Sequence, residues 1–94
     1  MKIENLDMIQ TISPIGVQAK VQFPGYMLSI IQNELSYGGT KGLYEIAIFK
    51  GDDQAELPGI TTPGDTVKGF LTELEVNAIL TKMFTITGKQ GVQL

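Results

Sequence analysis

The stretch VQAKVQFPGYMLSIIQ, residues 17–32, decides the fold class of this chain. Apolar and polar residues alternate over Val17–Phe23, which is the period of a strand that buries one face. Pro24-Gly25 supplies a turn, because proline presets φ and glycine accepts a positive φ. Tyr26–Gln32 is apolar on both faces, which favours a central place in the sheet. The stretch predicts an antiparallel hairpin.

Further strand patterns extend this hairpin into a sheet. We expect one strand over Met8–Ser13 and another over Leu43–Lys50, where apolar residues again alternate. A short edge strand is expected over Gln54–Leu57, before a Pro-Gly turn. Ile60–Asp65 is expected to be irregular or a further edge. The segment Asn33–Gly42 is expected to be a loop.

The C-terminal third contains one convincing helix, expected over Leu71–Phe84. Thr72 and Glu75 have the spacing of a capping box. An apolar stripe with i, i+3, i+4, i+7 spacing predicts packing against the sheet; it consists of Val76, Ile79, Leu80 and Met83.

The elements together predict an α+β fold in a single domain over residues 1–94. A small antiparallel β-sheet of three to five strands carries one C-terminal α-helix packed on a face. Ile86–Leu94 is expected to be either a frayed, flexible tail or a swapped arm. A strand that is apolar on both faces also predicts a homo-oligomer.

The composition excludes several kinds of chemistry. The 94 residues include no Cys, no His and no Trp, and all seven cationic residues are Lys. Without Cys there is no disulfide framework or thiol nucleophile. Without His there is no Ser-His-Asp triad. Without Arg there is no bidentate guanidinium for phosphate. No metal or other cofactor is expected.

The net charge limits the kinds of partner that are expected, and the hydropathy pattern indicates the cellular location. The formal net charge is −3, so electrostatic binding to nucleic acid is not expected. No apolar run approaches the length of a membrane span, and residues 1–7 lack the apolar stretch of a signal peptide. We therefore expect a protein of the bacterial cytoplasm.

The loop SYGGTKG, residues 36–42, is the most unusual local feature. Its hydroxyls, aromatic ring, cation and glycine amides could bind a ligand; the candidate residues are Ser36, Tyr37, Gly38, Gly39 and Lys41. The alternative is a hairpin connection that uses glycine for its turn geometry. The loop lacks the order of a Walker motif.

Two carboxylates complete the candidate ligand site. Glu45 lies within a predicted strand and either faces solvent or lines a pocket. Asp65 follows Thr61-Thr62-Pro63-Gly64 and either caps a turn or contributes to the site. Asp65 can share one site with Tyr37 only if the Tyr37 loop and the Thr61–Asp65 loop lie at the same end of the sheet.

Catalysis is not expected from this sequence. The paired carboxylates Asp52-Asp53 fall in a tight turn, and Glu73 and Glu75 suit the first turn of the helix. No calcium loop and no recognisable nucleophile–base spacing is present.

Three segments together resemble a group of small, uncharacterised phage and prophage proteins. The segments are FPGYMLSII (23–31), SYGGTKGLYEIAI (36–48) and TPGDTVKGFLTELEV (62–76). In that group a GYxxSVI strand precedes an SYGG loop, then a GL(Y/F)ELAV strand, and TPITDDVxGYLTxExV opens the last helix. This chain departs at Pro24-Gly25, where Asn-Gly is usual, and at Gly64-Asp65-Thr66. The resemblance implies an accessory phage protein that acts inside a bacterial host.

These observations predict a non-catalytic, phage-type binding protein with a role in counter-defence. In the first hypothesis a homo-oligomer sequesters a small nucleotide-like immune signal. Tyr37 would stack on a base, Gly38-Gly39 and Lys41 would meet phosphate, and Glu45 or Asp65 would hold a hydroxyl. In the alternative, an exposed edge strand or apolar sheet face docks on a host or defence protein and inhibits it. A third hypothesis is a virion assembly protein.

Overall fold

A meander of four antiparallel strands forms most of the sheet. The computed structural model describes all 94 residues. The strands are β1 (Ile9–Ile12), β2 (Ile15–Phe23), β3 (Tyr26–Asn33) and β4 (Tyr44–Lys50). Each pairs with the next along the chain, so β3 lies at the centre. Its central position explains why β3 is apolar on both faces.

Three short strands complete the two edges of the sheet. β5 (Asp53–Gln54) and β6 (Val67–Leu71) both pair with β4, whereas β7 (Val92–Gln93) pairs with β2. One edge is therefore formed by β5 and β6, and the opposite edge by β1 and β7. The sheet is seven strands in number but five strands wide.

A single helix, α1 (Glu73–Thr87), packs on one face of the sheet. Thr72 is its N-cap: the Glu75 N–H donates to Thr72 Oγ1 at 3.2 Å, and the Thr72 N–H donates to Glu75 Oε1 at 3.0 Å. At the other end, Gly88 has φ 76° and donates its N–H to the Phe84 carbonyl. The capping box at Thr72 thus sets where the helix begins, and the positive φ of Gly88 sets where it ends.

The core lies between this helix and one face of the sheet. Four helix residues are buried there, namely Val76, Ile79, Leu80 and Met83. The largest fully buried strand side chains are Val21, Leu28, Ile30, Ile46 and Ile48. The opposite sheet face has no helix over it, and its apolar side chains are only half-buried; they include Met27, Ile31, Ala47, Phe49 and Val67.

The predicted fold class is confirmed: the protein is an α+β fold with one helix near the C-terminus on an antiparallel sheet. The sheet exceeds the predicted three to five strands because β6 (Val67–Leu71) and the two-residue β7 (Val92–Gln93) were not predicted. The predicted edge over Gln54–Leu57 begins one residue earlier and ends at Gln54.

The end of the C-terminal tail lies along β2 of its own chain. Val92 and Gln93 pair with Gln22 and Val21 of the same chain, and the Leu94 N–H donates to the Lys20 carbonyl at 2.9 Å. Residues 92–94, which belong to the tail expected to be frayed or swapped, therefore extend the sheet beside β2.

Candidate functional site

The loop between β3 and β4 is held by its own polar side chains. Asn33 Oδ1 accepts hydrogen bonds from the Leu35 and Ser36 N–H groups at 2.8 and 2.7 Å. In return, Ser36 Oγ accepts from the Asn33 N–H at 2.9 Å. This is the local side-chain-to-backbone pairing that stabilises turns. The structure thus gives Ser36 a role inside the loop.

Close contacts require two of the three glycines of the loop. A Cβ on Gly38 would lie 2.9 Å from Leu43 Cβ, and one on Gly39 would lie 1.8 Å from the Asn33 carbonyl oxygen. The Gly39 N–H donates to the Ser36 carbonyl at 3.1 Å. This amide is therefore already paired, whereas the sequence hypothesis assigned it to a phosphate.

An exposed pair of aromatic rings lies where this loop meets β6. The rings of Tyr37 and Phe70 stack with centroids 6.2 Å apart and an interplanar angle of 24°. Their residues are 59% and 57% exposed. The Phe70 N–H donates to the Tyr37 carbonyl at 3.1 Å, which fixes one ring relative to the other. We call these two residues the aromatic platform.

Phe70 adopts an unusual backbone conformation to take its place in the platform. Its φ is +56°, and it is the one non-glycine residue with a positive φ in the protein. A bulky aromatic residue with a positive φ lowers the stability of the fold by roughly 1–2 kcal/mol. The cause is a β-bulge: Tyr44 pairs with Leu71 and Ile46 with Lys68, so two β6 residues oppose one β4 residue.

The residues around the platform leave it little freedom. Glu45, which the bulge faces, accepts a hydrogen bond from the Tyr37 N–H through Oε1 at 2.9 Å. A Cβ on Gly69 would lie 2.3 Å from Tyr37 Cβ, so only glycine allows this approach. Lys41 is exposed in the same loop. The platform is therefore solvent-facing and rigidly supported.

Asp65 does not join these residues. It precedes β6, whose first residue, Val67, pairs with Ala47, while Phe70 lies near the other end of the strand. At about 3.3 Å per residue, the four steps from Val67 to Leu71 place the two ends of β6 about 13 Å apart. Asp65 accepts a hydrogen bond from Thr62 Oγ1 at 2.6 Å, as a turn residue does. The Tyr37 and Asp65 loops therefore do not form one site.

Sequence reasoning missed Phe70 as the partner of Tyr37. The quoted segment TPGDTVKGFLTELEV contains it, but the pattern drew attention to Asp65 and to the helix start. The pairing of β6 with β4 is a long-range contact, and the bulge that exposes the ring follows from it. A glycine directly before an aromatic residue at a strand end was the one local signal.

None of the surface clefts includes Tyr37 or Phe70, although one is lined in part by Lys68 and Leu71 of β6. There are four, of about 170–250 Å³, and none is lined by any candidate ligand-binding residue. No group of three or more His, Cys, Asp or Glu residues is placed to hold a metal ion. The structure contains no helix with the length and apolar character that a membrane span requires.

Two side chains have shifted pKa values, and both shifts have structural causes. Hydrogen bonds from the Thr72 backbone and side chain lower the pKa of Glu75. Burial, followed by the nearby Glu73 carboxylate, raises the pKa of Tyr44. Both shifts follow from the start of the helix and its packing.

Comparison of the chain with family models, with curated proteins and with solved structures finds no match. The fold and the site define it as a small α+β protein with an aromatic platform at one sheet edge.

Proposed function

We propose that the protein is a non-catalytic binding protein that docks on another protein through the aromatic platform. The observation that carries this proposal is the stacked, exposed pair of Tyr37 and Phe70, held in place at a cost in backbone strain. Backbone strain of this kind clusters at functional sites. Tyrosine and phenylalanine are enriched in protein interfaces, where a rigid ring contributes a large contact area at low entropic cost.

The geometry favours a protein partner over a small ligand. A small-molecule site usually encloses most of its ligand, whereas neither ring of the platform lines a cleft. Two groups that the ligand hypothesis assigned to a nucleotide already have partners: the Gly39 amide binds Ser36, and the Glu45 carboxylate binds the Tyr37 amide. A flat partner surface can instead cover both rings at once.

The biological role that we propose is counter-defence in the cytoplasm of an infected bacterium. The support is the resemblance of residues 17–83 to small phage and prophage proteins. Proteins of this size and context often inhibit host or defence proteins or sequester small nucleotide immune signals. For an inhibitor, the platform is where the partner would contact this chain.

Sequestration of a small nucleotide-like immune signal is the second candidate function. It is favoured by the exposed Tyr37 ring and the exposed Lys41 in the same loop. A base could stack on the ring while the ammonium meets a phosphate. In this function the missing walls of the site would have to come from another protein surface.

One capture experiment separates the two functions. The immobilised protein is incubated with lysate of phage-infected bacteria, any retained protein is identified and purified, and the Kd of the pair is measured. Tyr37→Ala and Phe70→Gly should each raise the Kd about tenfold or more, as expected of central aromatic contacts. Leu74→Ala is the matched control, because Leu74 is 80% exposed but lies on the helix; its Kd should not change.

Two results would contradict the docking proposal. If the protein depletes a nucleotide from the lysate and releases it intact on heating, with no protein retained, sequestration is the function. If a partner binds the Tyr37 and Phe70 variants as tightly as the unaltered protein, the platform is not the interface.

A further inference from the structure

The two edges of the sheet differ in how they are protected against pairing with another strand. On one edge, β6 carries a bulge, a charged Lys68 and an irregular backbone at Gly69-Phe70. Bulges and lysines are the usual means of keeping an edge strand unpaired. On the opposite edge, β1 has the sequence Ile-Gln-Thr-Ile and pairs only with β2. It has no bulge and no charge.

Exposed apolar side chains concentrate along the β1 edge. Five of the twelve exposed large apolar residues lie on β1, on the adjoining start of β2 and on the C-terminal tail: Ile9, Ile12, Ile15, Val92 and Leu94. Ile12 is 89% exposed, more than any other. An apolar, uncharged edge strand with free backbone groups is a template for strand addition.

We propose that β1 pairs antiparallel with β1 of a second copy of this chain, which gives a two-fold symmetric dimer with one continuous sheet. With the axis beside Gln10, Ile9 lies opposite Thr11 and Met8 opposite Ile12 across the interface. Every pair in residues 8–12 is uncharged. The net charge of −3 otherwise opposes self-association, and this edge is where two copies meet without like charges in contact.

A second copy of the chain suits the β1 edge in both its backbone groups and its apolar side chains. Self-pairing matches the spacing of the backbone donors and acceptors by symmetry, and it covers the apolar strip of each copy with that of the other. The two Gln10 side chains face each other at the axis, where their amides can exchange hydrogen bonds. The inference is independent of the aromatic platform, which lies at the other edge.

The test is sedimentation velocity from 1 to 200 μM, in which the unaltered protein is expected to reach about twice the 10.2 kDa mass of one chain. Gln10→Lys and Gln10→Glu each place two like charges at the axis, so each variant alone should be monomeric. A 1:1 mixture of the two should recover the dimer, because opposite charges then meet. Circular dichroism checks that each variant folds.

Leu74→Lys is the control, since it introduces the same charge as Gln10→Lys at another exposed position, on the helix; it should stay dimeric. A monomeric unaltered protein at 200 μM overturns the proposal. So do Gln10 variants that remain dimeric, a mixture that stays monomeric, or loss of the dimer in Leu74→Lys.

Discussion

At the scale of single residues, Phe70 combines two features that stability alone does not favour. Its ring is 57% exposed, so it buries little apolar surface, and its backbone has a positive φ. Glycine would fit the same conformation without strain. The proposed docking function would account for a large aromatic side chain at such a position.

Phe70→Gly should therefore separate stability from binding. Relief of strain, about 1–2 kcal/mol, offsets the lost stack on Tyr37, about 0.5–1.5 kcal/mol, and the greater freedom of glycine in the unfolded chain, about 0.5–1 kcal/mol. We expect the free energy of unfolding to change by less than about 1 kcal/mol, measured by urea denaturation.

Phe84→Gly provides the comparison, because Phe84 is similarly exposed at 48% but has ordinary helical backbone. It should destabilise the protein by at least about 1 kcal/mol more than Phe70→Gly, since glycine is unfavourable in a helix. Equal losses in the two variants would mean that the φ of Phe70 imposes no strain and that its ring is structural.

At the scale of elements, the parts that could be predicted from sequence are those with local signals. The hairpin of β2 and β3 follows from alternation and Pro24-Gly25, and the helix start follows from Thr72 and Glu75. β6 and β7 could not be predicted, because each depends on a strand distant in sequence. Gly69 and Gly91 in or beside them allow close approach to Tyr37 and to Phe23, contacts that only the fold brings together.

The candidate site likewise contains residues with a local sequence signal and residues placed only by long-range contacts. The loop at Tyr37 was predicted because three glycines within five residues are a local signal, and Glu45 proved to touch it. Asp65 was grouped with them on the assumption of a shared sheet end, which the antiparallel course of β6 excludes. Phe70 entered the site only through the bulge.

The capping box at the helix start should make stability depend on pH. Thr72 lowers the pKa of Glu75 below its ordinary value of 4.5 in the folded protein. A depressed folded pKa adds stability above pH 4.5, and that stability is lost as the pH falls through the lower folded value. Thermal unfolding of Glu75→Gln should show a lower Tm than the unaltered protein at pH 7 and a smaller difference at pH 3.

Glu73→Gln is the control, since its carboxylate accepts no capping hydrogen bond; its Tm difference should vary less with pH. A Glu75→Gln difference that stays constant from pH 7 to pH 3 would show that the ionised carboxylate adds nothing to the cap.

At the scale of the whole molecule, the C-terminal residues act as a closing strand. Deletion of residues 92–94 removes the pairing with Val21 and Gln22 and the hydrogen bond from Leu94 to Lys20. We expect a loss on the order of 2 kcal/mol, from net contributions of about 1 kcal/mol per hydrogen bond. Urea denaturation at 1 μM measures it under conditions that disfavour self-association.

Val92→Ala is the matched variant, because it keeps the backbone pairing and alters a side chain that is already exposed. Its free energy of unfolding should stay within about 0.5 kcal/mol of the unaltered protein. If the deletion costs no more than Val92→Ala, the tail contributes nothing to the stability of the sheet.

The order of the strands also bears on how strongly the protein can hold a partner. The platform lies at the β6 edge and β1 at the other, so a dimer joined through β1 would carry its two platforms at the far ends of a sheet ten strands wide. Nine strand spacings of about 4.8 Å separate them by about 43 Å. Against a partner that repeats its own site at that distance, the second contact becomes intramolecular, and avidity can exceed the single-site affinity by about 10²–10⁴.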